Sequence, residues 1–287
     1  MNILVLGASG QLGHCIAHVA QGSAHRYHFA SRATLDLSDT AAIKQFAIRE
    51  EIEVIINAAA YTAVDRAEDE PDQADEVNHL AVARLAEVCK KQDIFLVHIS
   101  TDYVFSGSSS VPYTEDMPTD PLGVYGQTKR LGEVAIQRIA PRHLILRTSW
   151  LYSPYGANFL KTMLRLGAER PELRVVFDQV GTPTSALSLA RFIVSVLERG
   201  GLDKSGLYHF SNEGVASWYD FAEAIFRLSD YTTTLHPIRS SEYPTRAERP
   251  HFSVLDKTLI RTTFGITIPH WRTALEECLR LTAVLHD

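Results

Sequence analysis

Tyr125 and Lys129, four residues apart in "YGQTK", are the side chains best suited to move a proton. On a helix, positions i and i+4 share a face, so the phenol and the ammonium open into one cleft. A nearby ammonium favours phenolate, which lowers the tyrosine pKa and lets its proton pass to or from a substrate oxygen near neutral pH. Thr101, at the end of the apolar run "IFLVHIS", can hydrogen-bond the same oxygen and polarise a carbonyl for hydride attack. A Y-x-x-x-K pair alone is more often surface decoration on an amphipathic helix. Its weight here comes from a second motif, "GASGQLG" at residues 7 to 13, directly after the strand-like "NILVL".

Each glycine of that motif has a physical task. Gly7 permits a tight turn, Gly10 lets backbone approach a pyrophosphate without an intervening Cβ, and Gly13 lets the next helix pack close to the strand. The following helix, expected from Gly10 to Ala20, would aim its N-terminal N–H groups at the phosphates.

These motifs sit among alternating strand and helix patterns. "YHFA" (27–30), "EVIINAAA" (53–60), "IFLVHIS" (94–100) and "HLILRTS" (143–149) read as strands. Between them run helical stretches, one capped by Ser38 or Asp39, one through "ADEVNHLAVARLAEVCKKQ" and one through "GQTKRLGEVAIQRI". Repeated β-α units predict a Rossmann-type, doubly wound parallel sheet, with ligands at the carboxyl ends of its strands. Residues 1–150 form the expected nucleotide domain, to which 181–210 return through a helix and the strand "GLYHF". Residues 151–180 and 211–287 form a smaller substrate-binding domain.

Composition narrows the function classes. The 287 residues are 45% hydrophobic, enough for a large core. A net charge of −6 argues against nucleic acid as a partner. No apolar run approaches the ~20 residues of a membrane span, and the N-terminus lacks signal-peptide regions, so a cytoplasmic location is expected. Cys15, Cys89 and Cys278 are odd in number and widely spaced, as reduced thiols would be.

In "MNILVLGASGQLG", "INAAAYTAVDRAE", "VHISTDYVFSG", "YGQTKRLGE", "LRTSWLY" and "RPHFSVLD" the chain resembles the extended short-chain dehydrogenases/reductases that act on nucleotide-sugars. Within that family it is most similar to the branch that reduces the 4-keto group of dTDP-4-dehydro-L-rhamnose to dTDP-L-rhamnose. The resemblance implies a catalytic set of Thr101, Tyr125 and Lys129. Tyr125 protonates the 4-oxygen, Lys129 binds the nicotinamide ribose, and Thr101 holds the keto oxygen. It implies that Gly7, Gly10, Gln11 and Leu12 contact the pyrophosphate and that Ala58, Ala59 and Tyr61 line the cofactor cleft. Substrate would lie against Thr62, Val64, Asp102, Tyr103 and Trp150, with Arg249 near its diphosphate.

After the second strand stand Ser31 and Arg32, a hydroxyl and a guanidinium suited to a 2′-phosphate, so NADPH is expected, with NADH possible. Asp36 and Leu37 would face the adenine end. Relatives that dimerise around magnesium use acids where this chain has Cys15, and 185–197 contain no Asp or Glu. No metal is therefore expected, and the chain is a monomer or a dimer that magnesium does not mediate. His14 and His18 lack a third ligand and read as helix-surface residues. Two other classes fit the fold. One is a non-catalytic nucleotide-binding subunit, like the regulatory subunit of methionine adenosyltransferase. The other is a related enzyme: another nucleotide-sugar 4-ketoreductase, an epimerase, which would retain its cofactor where a reductase releases it, or a dehydratase, which would carry an acidic pair where Thr101 is followed by Asp102 and Tyr103 only.

Overall fold

A computed structural model describes residues 1–286. Its centre is a six-stranded, wholly parallel sheet built from Asn2–Leu6 (β1), Arg26–Ala30 (β2), Val54–Asn57 (β3), Phe95–Thr101 (β4) and His143–Thr148 (β5), with the tenth strand, Gly206–His209, at one edge. The strand order, 10-5-4-3-1-2, reverses direction at β1, so the crevice outside the carboxyl end of β1 is the topological switch point. β1, β3, β4 and β5 are almost continuous Ile, Leu, Val and Phe because both faces are covered.

One face carries helices Gln11–Val19 (α1) and Ala186–Glu198 (α8), sharing a core with Val5, Ile56, Val97 and Leu146. The other carries Thr40–Arg49 (α2), Ala81–Gln92 (α5) and Val124–Ile139 (α6), around Leu4, Ile55, Leu96 and Ile145. Gly10 and Ala20 prove to be the caps of α1, and Asp39 caps α2 by accepting the Ala42 N–H at 2.9 Å.

The expected long helical region through residues 74–92 is helical throughout but carries a π-helical turn. After the short helices Val64–Ala67 (α3) and Pro71–Asp75 (α4), a π-helical turn spans Glu76–Leu80 before α5 begins. That turn swings Asn78 inward, where its Oδ1 accepts the Tyr61 N–H at 2.9 Å and its Nδ2 reaches the Thr128 hydroxyl at 3.3 Å. β3 also stops earlier than expected. The Asn57 side chain accepts the Ala59 N–H at 3.2 Å and turns residues 58–60 out of the sheet into the crevice.

A second, smaller core gathers Tyr152, Leu160, Phe221, Ile225, Trp271 and Leu275. Its elements are Phe159–Glu169 (α7), Trp218–Leu228 (α9), Trp271–His286 (α11) and three two-stranded sheets. These pair Leu151–Tyr152 (β6) with Thr184–Ser185 (β9), Val180–Gly181 (β8) with Ala216–Ser217 (β11), and Glu172–Val176 (β7) with Thr234–Ile238 (β12). Residues 211–287 do not pack as one block. Helix Thr258–Phe264 (α10) and the segment after it put Ile260 and Ile268 into the α1/α8 core of the large sheet.

Candidate active site

At the carboxyl end of β1 the glycine loop is held against the start of residues 58–60. Gly7 has φ +80°, and a Cβ there would stand 2.6 Å from the Ala59 nitrogen, so only glycine fits. A Cβ on Gly13 would meet the Gly7 oxygen at 2.5 Å, which explains why α1 can start so close to the strand. Gly10 caps α1 without a side-chain hydrogen bond, and the first turn carries no acid. Its backbone N–H groups are therefore left to an anion, and a cradle this shape fits a dinucleotide pyrophosphate.

The loop opens into a cavity of 770 Å³ that runs along the carboxyl ends of the central strands. It is lined by Gly7, Gly10, Gln11 and Leu12, by Arg32, Asp36 and Leu37, and by Ala58, Ala59 and Tyr61. Thr62, Val64, Thr101, Asp102, Tyr103, Tyr125, Lys129, Trp150 and Arg249 line it too. Ser31 alone of the expected residues does not: its N–H is turned to the Thr34 hydroxyl at 2.9 Å, bracing the turn that presents Arg32. Arg32 lies on the rim, 77% exposed, with its Nε donating to Asp36 at 3.0 Å. Ser38 and Arg32 together hold the Asp36 carboxyl below its usual range, so the pair stays ionised.

Deeper in, Thr101 ends β4, donating to Asp102 Oδ1 at 3.0 Å and accepting the Tyr103 N–H at 3.2 Å. Tyr125 and Lys129 come from the first turns of α6 onto the same wall, and the Tyr125 ring meets Tyr103 edge-on at 5.5 Å. One expectation needs correcting. Lys129 does not bring the Tyr125 phenol down; burial pushes it well above its ordinary value, with the Thr101 hydrogen bond opposing and Asp102 reinforcing. The Lys129 Nζ is turned away to the Ile99 carbonyl at 2.7 Å, and burial lowers it to about 8. Burial likewise raises Asp102 to about 6, against the Ser253 and Thr101 hydroxyls that favour its anion.

The far end is aromatic. Trp150 has φ +48°, a strained conformation for a bulky residue, and its indole stacks on Trp218 at 3.6 Å and 7°. Trp218 in turn donates to Gln179 at 3.2 Å. Arg249 is paired to Asp65 at 2.8 Å, yet its Nε is buried without a partner. It therefore has both the surface ion pair and a donor left over for a ligand.

Gln73, Val77 and Trp218 line the cavity and were not anticipated from the sequence. Gln73 lies on α4 and Val77 on the π turn. Trp218, at the first position of α9, had one available signal, a large aromatic placed directly after the Ser217 cap rather than on the buried stripe.

The geometry accords with what the chain is similar to. A dTDP-4-dehydrorhamnose reductase of Sinorhizobium fredii is 39% identical over 279 residues, 94% of each chain. The crystal structure of a dTDP-4-dehydrorhamnose reductase of Clostridium acetobutylicum, 38% identical, superposes with a TM-score of 0.94 over 99% of this chain and 100% of that one. A Bacillus anthracis dTDP-4-dehydrorhamnose reductase in complex with NADP, 34% identical, reaches 0.94 over 98% and 99%. With the model of the RmlD substrate binding domain matching residues 1–284, the chain belongs to that family.

Proposed function

We propose that the protein reduces the 4-keto group of dTDP-4-dehydro-L-rhamnose to give dTDP-L-rhamnose, with NADPH as its preferred cofactor and NADH as a second. The observation that carries this reading is that the glycine cradle and the Thr101, Tyr125 and Lys129 cluster open into one cavity. Relatives bearing the name of that activity, one of them in complex with NADP, support it.

NADPH, when bound, supplies the hydride that reaches C4 of the sugar. Tyr125 enters the reaction as the phenol, because burial holds its proton, and gives that proton to O4 as the negative charge develops. Thr101 donates to the same oxygen, exchanging its bond to Asp102 for one to the substrate. Lys129 donates to the ribose hydroxyls, and Arg32 pairs with the 2′-phosphate. Ketone, hydride and proton become the secondary alcohol, and Tyr125 recovers its proton from water. Trp150 backed by Trp218 forms the wall against which the sugar nucleotide lies, and the free Nε of Arg249 meets the diphosphate. Residues 1–150 with 181–210 act as the nucleotide-binding part and the Trp271-centred core as the substrate-binding part, in the cytoplasm. Cys15 is buried in α1 with its thiol raised to about 12, so it offers no ligand to a hard cation. We therefore assign a monomer or a dimer without magnesium.

The test is NADPH absorbance with thymidine- and uridine-linked 4-keto-6-deoxy sugars. Stoichiometric oxidation and release of the cofactor with the thymidine-linked sugar is expected. Tight NADPH binding without reduction of any sugar would indicate a regulatory subunit, and retained cofactor an epimerase.

A further inference from the structure

Gln11 stands at the first position of α1, inside the glycine cradle, and its side chain is gripped by the turn between β6 and α7. Its Oε1 accepts from Asn158 Nδ2 at 2.9 Å and from the Ser153 hydroxyl at 3.1 Å. Ser153 has one proton to give and the Tyr155 carbonyl at 2.8 Å competes for it, so Asn158 is the firmer donor. The orientation of the Asn158 amide is set by its own task. It is the N-cap of α7, its Oδ1 accepting the Lys161 N–H at 3.1 Å, so its NH2 must face the other way. There it meets only acceptors: Gln11 Oε1, the Ser153 carbonyl at 2.8 Å and the Tyr155 carbonyl at 3.2 Å. A reversed Gln11 amide would set donor against donor. Oε1 is therefore held on Asn158, and Nε2, which has no protein partner among the described residues, is the end left to the cavity that Gln11 lines with Gly7 and Gly10.

We propose that Asn158 is a positioning residue for the cofactor: anchored by its cap on α7, it fixes the Gln11 amide so that Nε2 donates to the dinucleotide pyrophosphate. The proposal rests on the reading of the cradle as a dinucleotide site and not on which sugar is reduced. Asn158 does not itself line the cavity, whereas Gln11 and the intervening Gly156 and Ala157 do, so its influence on a cofactor has to pass through a neighbour. The turn is fitted to Gln11: Gly156 has φ +65°, and a Cβ there would stand 3.2 Å from Gln11 Cγ. Tyr155 stacks on His14 at 5.1 Å, which seats the same turn on the helix whose N–H groups face the cradle. A loose glutamine would lose rotamer freedom on binding, while a fixed one offers its donors without that cost. A glutamine turned end for end would aim an acceptor at an anion.

Titration of cofactor-free protein with NADPH, followed by nicotinamide fluorescence, tests this in the wild type, Gln11→Ala, Asn158→Ser and the double variant. Serine keeps an oxygen for the Lys161 N–H and adds no charge, so α7 stays capped while Gln11 loses its donor. Gln11→Ala should raise the NADPH Kd about tenfold, as loss of one hydrogen bond to a charged group does. Asn158→Ser should raise it about three- to tenfold, from the rotamer freedom that Gln11 regains. The two effects should not multiply: the double variant should match Gln11→Ala. A Kd raised by the product of the two factors would mean that Asn158 acts without Gln11, and would overturn the proposal. So would an Asn158→Ser protein with the wild-type Kd. Adenosine 2′-monophosphate, which has no pyrophosphate, should bind all four proteins equally by calorimetry, and a parallel loss there would also overturn it. Sugar reduction by the wild type is measured alongside. If NADPH binds and no sugar is reduced, the ketoreductase reading falls and the four Kd values still decide the role of Asn158; if NADPH does not bind, both fall.

Discussion

In the proposed reaction Tyr125 meets the substrate with its proton in place, and its burial favours the phenol. Tyr125→Phe removes only the hydroxyl, so packing against Tyr103 should persist while O4 loses its donor. Turnover is expected to fall by ~10²–10⁴-fold with NADPH affinity nearly intact; equal rates in the two proteins would sink the assignment. Arg32 is a weaker lever because it is exposed and already shared with Asp36. Arg32→Ala should raise KM for NADPH about tenfold, the low end for a hydrogen bond to a charged group, and leave KM for NADH unchanged. Parallel losses with both cofactors would show that the guanidinium does not read the 2′-phosphate. At this scale the sequence was legible for placement: Thr101, Tyr125 and Lys129, singled out by type and spacing, line one cavity. It was not legible where function depends on a partner remote in the chain. The Asp65 that occupies Arg249, the Trp218 that backs Trp150 and the carbonyl that takes Lys129 are set by folding, not by spacing.

Helix α6 carries Tyr125 and Lys129, so its seating fixes the site more than either side chain does. Gly132, two turns further along, lets α6 rest directly on the π turn: a Cβ there would overlap the Asn78 carbonyl oxygen. Gly to Ala in an open helix gains about 1 kcal/mol. Here the overlap is with backbone that cannot rotate away, and overpacking of this kind costs about 1–3 kcal/mol. The penalty wins, so Gly132→Ala should lower the urea midpoint and also slow turnover, since α6 must lift. A stabilised protein of unchanged activity would show that the π turn yields. Strand identity was readable because parallel strands covered on both faces are unbroken apolar runs. The π turn was not, because "ADEVNHLAVARLAEVCKKQ" has ordinary helical composition, and the extra residue is forced by Asn78 finding Tyr61 and Thr128.

For the whole molecule, the sheet edge beyond β5 depends on a buried histidine. His209 sits between Arg147 and the Tyr113 carbonyl and joins the tenth strand to the loop after β4. Burial and Arg147 lower its pKa from 6.5 to about 3, and His98 is lowered in the same direction. A depressed histidine stabilises the fold above pH 6.5, and that contribution is lost on acidification because the unfolded chain binds the proton first. Asp102 works the other way: raised from 3.8 to about 6, it binds its proton in the folded state first across that window. Between pH 6 and 4 the unfolded chain therefore takes up protons on the two histidines ahead of the folded chain, while the folded chain takes up one on Asp102 first. With Glu70 and Glu277 also held below their usual range, the balance lies with the unfolded chain, so stability should fall on acidification across this window. Urea unfolding at pH 6, 5 and 4 reads that slope directly. His209→Gln removes one of the two histidines that the fold protects from protonation and should make the slope shallower, whatever it does to stability at pH 7. A slope unchanged by the substitution would mean that His209 is not such a group.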